Sequence, residues 1–331
     1  MADKNDIIVV TGGAGFIGSN LLKELERRGF RRLVCVDTLG TGEKWKNIST
    51  LTNLDIILPK DVKDFIHRRS SEIGAVVHLG AISSTTETDV DLIYSTNVMF
   101  TLRLLSSCSL HGIPFIYASS ASTYGDGSNG FSDSQDISFL SLLQPLNAYA
   151  WSKSFVDKRI WSDCEGENRN QVVGLKFFNV YGPNEFHKGS QMSVMCKFYQ
   201  ELSISGCIRL FKSCNSDIVD GEQRRDFVYV GDCVDVIIWM IKHREVSGLF
   251  NVGSGEARTF NDVARIICSE AGKEPVIEYV VMPQALQKHY QNYTCADLSK
   301  LRSVGYNKAM TPIEEGIRIY RGIYPMLLVL L

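Results

Sequence analysis

The sequence predicts an α/β chain: a doubly wound parallel sheet joined to a smaller mixed α/β domain. In the first half, short β-branched runs alternate with helical patterns, as βαβ crossovers require. After Tyr181-Gly182-Pro183 the texture shifts to polar loops and shorter elements. The length of 331 residues is about two domains at roughly 150 residues each.

Each element follows from its residues. IIVV (7–10) is a continuous apolar run, so it reads as a strand buried on both faces. A Gly-rich turn follows, and 20–28 reads as a helix ending near Gly29. RLVCVD (32–37), AVVHLG (75–80) and PFIYASS (114–120) read as the second, third and fourth strands, with a helical stretch at 96–111. VVGLKFFNVYG (172–182) reads as a fifth strand. KSCNSDIVDGEQRR (212–225) is a polar loop. DFVYVGDCVDVIIWMI (226–241) reads as a strand and helix rejoining the first layer, and LFNVGSG (249–255) as a further strand and turn. The expected division is a dinucleotide-binding domain at 1–180, rejoined by 227–253, and a substrate domain at 181–226 and 254–331. Ligands of such folds sit beyond the carboxyl ends of the strands.

Composition excludes several classes. Thirty-five Lys and Arg oppose 37 Asp and Glu, a formal charge of −2. No global basic field therefore exists for nucleic acid or a membrane surface. No run reaches the ~18 apolar residues of a membrane span. Nine scattered cysteines with no C-x-x-C pair argue against a disulfide framework or a zinc ribbon. The opening MADKNDIIVVTGG lacks a signal-peptide layout, and a reducing, cytoplasmic location is expected.

TGGAGFIG (11–18) stands between a strand and a helix, with glycines at 12, 15 and 18. Small residues there let backbone N–H groups and a helix N-terminus approach a pyrophosphate. Asp37 follows at the end of the second strand, where a carboxylate hydrogen-bonds a ribose. This is a Rossmann-type dinucleotide site. Asp37 favours NAD, whereas Lys44, Lys46, Lys60 and Lys63 are cations that could neutralise a 2′-phosphate.

Tyr149 and Lys153 form Y-x-x-x-K in NAYAWSK. On a helix they share a face, and a neighbouring ammonium is expected to favour phenolate, making the tyrosine an acid–base group. Ser119, Ser120, Ser122 and Thr123 in YASSASTYG place hydroxyls at a strand end, where one could hydrogen-bond the reacting oxygen.

TGGAGFIG, HLGAIS, YASSASTYG, YAWSK and FFNVYGP together resemble the extended short-chain dehydrogenase/reductases. GAISSTTETD (80–89), FFNVYGPNEFHKGS (177–190), RRDFVYVGD and HYQNYTCADLSKLRSVGY narrow the resemblance to the ADP-L-glycero-D-manno-heptose 6-epimerase family. The resemblance implies an isomerase of lipopolysaccharide biosynthesis in the bacterial cytoplasm. It would invert C6 of an ADP-heptose by transient oxidation and re-reduction with tightly held NADP, as a homopentamer. Tyr149 and Lys188 match the family's two acid–base residues, Lys153 the lysine that binds cofactor and assists the tyrosine, and Ser120 the usual hydroxyl. Gly12, Gly15, Phe16, Ile17, Gly18, Asp37, Thr38, Lys44, Leu79, Gly80, Ala81, Ile82, Ser83, Asn97, Val180 and Lys188 fall at cofactor positions. Asn179, Ser190, Lys197, Phe211, Lys212, Ser213, Cys214, Arg225 and Tyr290 fall at substrate positions. The rigid fork of Arg225 suits a diphosphate.

The chain departs from the family's pattern in four places. Asn184 stands where arginine is common, the loop at 217–223 is longer, ILPKDVKDF offers no certain counterpart of a cofactor-binding lysine, and the chain ends IYPMLLVLL. A UDP-hexose 4-epimerase-like activity and a non-catalytic dinucleotide sensor are the alternatives. The segment around Ser120 lacks the Asp-Glu pair of a dehydratase, and an intact Tyr149/Lys153 pair speaks against a sensor.

Overall fold

A computed structural model of the chain describes residues 3–162, 170–287 and 290–328. The strands, in chain order, are β1 Ile7–Thr11, β2 Leu33–Val36, β3 Leu54–Ile57, β4 Ile73–His78, β5 Phe115–Ser120 and β6 Val172–Phe177. They continue as β7 Asn179–Tyr181, β8 Ile208–Phe211, β9 Arg224–Tyr229, β10 Gly248–Val252, β11 Ala257–Thr259 and β12 Ile277–Val280. Among the described residues, seven strands form a parallel sheet in the order β10-β6-β5-β4-β1-β2-β3. The order reverses beside β1, so the carboxyl ends of β1 and β4 open on the crevice where doubly wound sheets bind ligands.

β1 and β4 are buried along their whole length, which is why their sequences run apolar without alternation. The helix Phe16–Arg27 buries Phe16, Leu21, Leu22 and Leu25 and packs against the helix Val230–Lys242. It ends at Arg28, and Gly29 takes the left-handed conformation (φ +89°) that terminates helices.

The smaller region holds two sheets, β11-β9-β7 and β12-β8. Its core joins Tyr181, Met195, Phe198, Tyr199, Phe227, Val263, Ile267 and Ile317.

Four sequence expectations change. LDII (54–57) is a strand that the apolar-run criterion missed: it lies at the sheet edge with Asp55 and Ile56 exposed. The strand expected across 172–182 breaks at Phe178, whose N–H donates to Val252 O at 3.0 Å. The chain then leaves the large sheet, and Asn179–Tyr181 pairs with β9. β9 was expected to rejoin the first layer; it stays in the small sheet, and only the following helix and β10 return. Finally, Leu301 and Tyr306, expected in the substrate domain, pack into the core of the large sheet. The helix Ile313–Leu328 reaches into the apolar tail, whose residues 329–331 lie outside the described residues.

Candidate active site

The Gly-rich turn is built by close approach. Gly12 has φ +66°, and a Cβ there would lie 2.6 Å from Gly80 N; a Cβ on Gly18 would lie 2.2 Å from Gly12 O. Both positions therefore require glycine. The turn is clamped to β2 by Asp37, whose carboxylate accepts from Ala14 N (3.0 Å), Thr38 N (2.8 Å) and Lys44 Nζ (2.7 Å). Lys46 turns to Glu43 instead, and Lys60 and Lys63 are exposed. Of the four lysines weighed against Asp37, Lys44 is the one that reaches it.

Two adjoining cavities of about 500 and 430 Å³ share Gly12, Asp37, Lys44, Gly80, Ala81 and Ile82. One also holds Thr38; the other holds Gly15, Phe16, Ile17, Gly18, Leu79, Ser83, Ser120, Tyr149, Lys153, Val180 and Lys188. The groove, its glycine cradle and the carboxylate at its far end fit a dinucleotide.

Asn97 does not line the groove and is fully buried. Its Oδ1 accepts from Ile82 N (2.8 Å), and its Nδ2 donates to Ile82 O (2.9 Å) and Ser152 Oγ (3.1 Å). The amide is engaged by protein and braces the loop 79–83, which lines the groove. Asn97 sits in a π-helical turn, Tyr94–Met99, a feature common at functional sites. Ser152 in turn donates to Tyr149 O at 2.7 Å.

His78 supports the same wall. Thr101 Oγ1 donates to Asn97 O (2.6 Å) and so accepts from the ring Nε2–H (2.8 Å). Thr11 Oγ1 then donates to Nδ1 (2.6 Å) while accepting from Gly80 N (3.2 Å). Burial, aided by the charge of Lys153, pushes the imidazole down to about 3, so it stays neutral. Its signal in the sequence was a polar residue within an apolar strand.

The helix Ala148–Ser162 carries Tyr149 and Lys153. The expected fall in the tyrosine's proton affinity does not occur. Burial raises the phenol above its ordinary value, opposed by a hydrogen bond with Ser120, and the charge of Asp157 raises it further. Lys153 Nζ instead donates to Ala118 O at 2.8 Å. Burial brings this ammonium down to about 8, against the pull of Asp157. Of the four strand-end residues, Ser119 and Ser120 line the cavity, and Ser119 Oγ donates to Asp157 Oδ2 at 2.7 Å. Ser122 Oγ donates to Ser120 Oγ (2.9 Å), and Thr123 Oγ1 turns inward to donate to Ser120 O (2.8 Å).

Lys188 comes from the 3-10 segment Phe186–Gln191, which kinks at Gly189. Three amides lace the approach to this segment onto the dinucleotide side. Asn20 Nδ2 donates to Pro183 O (2.9 Å), Asn184 Nδ2 to Ser19 Oγ (3.0 Å) and Asn47 Nδ2 to Asn184 O (3.3 Å). Asn184 has φ +71°, a region asparagine tolerates far better than arginine, which accounts for its presence here. Lys188 Nζ lies 5.3 Å from the Phe16 ring centroid. Burial lowers its proton affinity, Glu185 raises it and Lys197 lowers it. His187 and Gln191 also line the cavity; nothing in the sequence reading singled them out.

The nine substrate-position residues are not among those lining this cavity. Arg225 is buried with its guanidinium 4.9 Å from the Tyr290 ring and 5.7 Å from Phe260. No carboxylate among the described residues pairs with it, which suits it to an anionic ligand. Asn179 Nδ2 donates to Asp226 O and Thr294 Oγ1. Phe211 ends β8, followed by exposed Lys212 and Cys214, while Ser213 N donates to Asp220 Oδ1 at 2.7 Å. Ser190 is exposed, and Lys197 is half-buried.

Residues 8–253 match the model of the NAD dependent epimerase/dehydratase family. The chain is 45% identical over 314 residues to the ADP-L-glycero-D-manno-heptose-6-epimerase of Nitratidesulfovibrio vulgaris, covering 94% of this chain and 96% of that one. It is 40% identical over 322 residues to the enzyme of the same name from Fusobacterium nucleatum, with 95% and 96% covered. The crystal structure of the Helicobacter pylori ADP-L-glycero-D-manno-heptose-6-epimerase superposes with a TM-score of 0.79 at 28% identity, covering 97% and 98% of the two chains.

Proposed function

Because the chain belongs to the NAD dependent epimerase/dehydratase family and, within it, to the ADP-L-glycero-D-manno-heptose 6-epimerases, we propose that its groove performs that family's inversion with Tyr149 and Lys188 as the two acid–base groups. The protein is an isomerase that inverts C6 of the heptose in ADP-D-glycero-D-manno-heptose, using a nicotinamide cofactor. The observation that carries the residue assignment is that Tyr149, Lys153, Ser120 and Lys188 line one cavity with the Gly-rich turn.

When bound, the nicotinamide would remove the C6 hydrogen with its electron pair and return it to the opposite face. The protein's own residues manage the proton and the geometry. Tyr149 takes the hydroxyl proton as C6 is oxidised, and Ser120 holds the reacting oxygen. Lys153 holds the cofactor, and its charge steadies the Tyr149 phenolate that accepts this proton. Inversion requires the ketone to present its other face, and one fixed phenol serves a single orientation. Lys188 enters from a different segment, Phe186–Gln191, and supplies the proton in the second orientation. Its ammonium gives that proton, and burial, which disfavours the charged form, eases the loss. Arg225, stacked on Tyr290, holds the diphosphate of the substrate.

We assign NADP as the preferred cofactor. Lys44 already neutralises Asp37, which offsets the repulsion a carboxylate exerts on a 2′-phosphate. A homopentamer is proposed on family resemblance, to be checked by the mass in solution. Among the described residues no helix is long and apolar enough to cross a membrane; the bacterial cytoplasmic location is proposed on the family resemblance. The test of function is incubation with ADP-D-glycero-D-manno-heptose and chromatographic resolution of the two C6 epimers, with UDP-glucose in parallel. Conversion of UDP-glucose alone would favour the 4-epimerase reading instead.

A further inference from the structure

Beneath the active-site strand lies an ion pair that the chemistry above does not use. Lys176 Nζ and Asp157 Oδ2 are 2.8 Å apart, with side-chain exposures of 0% and 1%. A charged pair withdrawn this far from water is seldom retained for stability alone, since desolvation offsets most of its attraction. Its neighbours show what it holds. Asp157 is four residues after Lys153 and eight after Tyr149, so all three share one helix face. Its carboxylate accepts from Ser119 Oγ (2.7 Å) and Tyr117 OH (3.0 Å). Ser119 stands between Ala118, whose carbonyl accepts from Lys153, and Ser120. Lys176 donates to Thr123 Oγ1 (2.6 Å), which donates onward to Ser120 O. The two charges thus grip the Ser120 segment from both sides.

We propose that the Asp157–Lys176 pair is a positioning and charge-balancing element for Tyr149, Lys153 and Ser120, and that the working pH of the enzyme depends on it. The inference rests on the acid–base reading of Tyr149 and Lys153. The groups that face the pair are Tyr117 and Ser119 on β5, Thr123 and Tyr124 in the turn after it, and Lys153 and Tyr149 on its own helix. Lys153 is faced in addition by His78 on β4, which is neutral.

The sign follows from charge. Asp157 stabilises the Lys153 ammonium and disfavours the Tyr149 phenolate. Removing its charge leaves Lys176 uncompensated, and both changes favour losing a proton from either group. The bell-shaped pH profile of kcat in Asp157→Asn should therefore move bodily to lower pH, by about one unit, with KM within about twofold. Lys176→Met leaves Asp157 unbalanced and should move the bell to higher pH. Asp157→Glu, which keeps the charge, should restore the profile. A role confined to packing lowers activity without moving the profile, so a wild-type bell in both Asp157→Asn and Lys176→Met overturns the proposal.

Should a single charge removal prevent folding, Asp157→Leu with Lys176→Met keeps the interior neutral. That pair should leave the bell in place but lower kcat roughly tenfold through loss of the Ser119 acceptor; a wild-type kcat overturns the positioning claim. Tyr149→Phe separates the two layers of argument. Full activity in that variant sinks the acid–base reading itself. An inactive Tyr149→Phe together with unmoved bells in the charge variants sinks the ion-pair inference alone.

Discussion

Lys188→Met is the perturbation that most sharply divides the two readings of the second acid–base group. Methionine keeps an unbranched, flexible stem and removes the ammonium, and with it the cation–π contact with the Phe16 ring. Lys188 sits in the same cavity as Tyr149, beside Glu185, which holds its own place by accepting from Ser193 N and Ser193 Oγ. The segment's anchors are the amides of Asn20, Asn47 and Asn184, none of which the substitution touches. The loop should therefore stay where it is, and the loss should be chemical. A general acid–base group contributes typically ~10²–10⁴-fold, so kcat should fall by about that factor, roughly 3–5 kcal/mol of barrier. KM should change little, and extracted nucleotide should remain stoichiometric. The assay is epimer interconversion at saturating ADP-heptose, with nucleotide content measured on the same sample. A raised KM at wild-type kcat would show that Lys188 binds phosphate and that Tyr149 serves both faces.

Four further outcomes are expected. Tyr149→Phe should lower kcat by about 10²–10⁴ with the ring still filling the site, and nucleotide extraction should show cofactor bound. Lys44→Ala should weaken retention of NADP more than of NAD, read from the ratio of the two nucleotides after equilibration; an unchanged ratio would remove Lys44 from the specificity argument. Arg225→Met should chiefly raise KM for the nucleotide sugar, because the substrate's diphosphate loses the buried guanidinium proposed to hold it. For pH, Lys153 is cationic below about 8 and neutral above it, so kcat should decline on the alkaline side from about that value. The same depressed affinity disfavours the folded chain while the lysine is charged, and that penalty should lift between about 8 and the ordinary value of 10.5. An alkaline limb unmoved in Lys153→Arg would exclude this lysine as its origin.

The strand–turn–helix context of TGGAGFIG and the apolar runs of β1, β4 and β5 were legible in the sequence because burial on both faces leaves a one-dimensional mark. β3 was not, since this edge strand buries none of its four residues fully and exposes Asp55 and Ile56. The break at Phe178 was hidden because both halves of 172–182 are apolar and only tertiary pairing separates them. In the site, spacing located Tyr149 and Lys153 but could not foresee that burial is the largest influence on the phenol. Asn97 was placed at the cofactor through resemblance, yet its hydrogen bonds run to Ile82 and Ser152. His78 and Lys176 carried a usable signal: each is a polar side chain in a strand that must be buried, so each demanded a partner. One sequence could say that a partner exists, not that it would be Thr11 and Thr101 or Asp157.

The amide of Ile82 sits in a segment without strand or helix, where backbone hydrogens ordinarily exchange with solvent on the timescale of local fluctuation. Both its N–H and its carbonyl are held by Asn97, and Asn97 is held by Ser152. That loop should open only when the helix bearing Tyr149 lets go, so its deuterium uptake should be as slow as that of the sheet beside it. An enzyme that must return the same two electrons it removed cannot release its carrier halfway through a turnover. A loop as slow to breathe as a strand is a kinetic lock suited to that demand, and Ser152→Ala should turn slow exchange at Ile82 into fast exchange and shorten the residence time of the cofactor together.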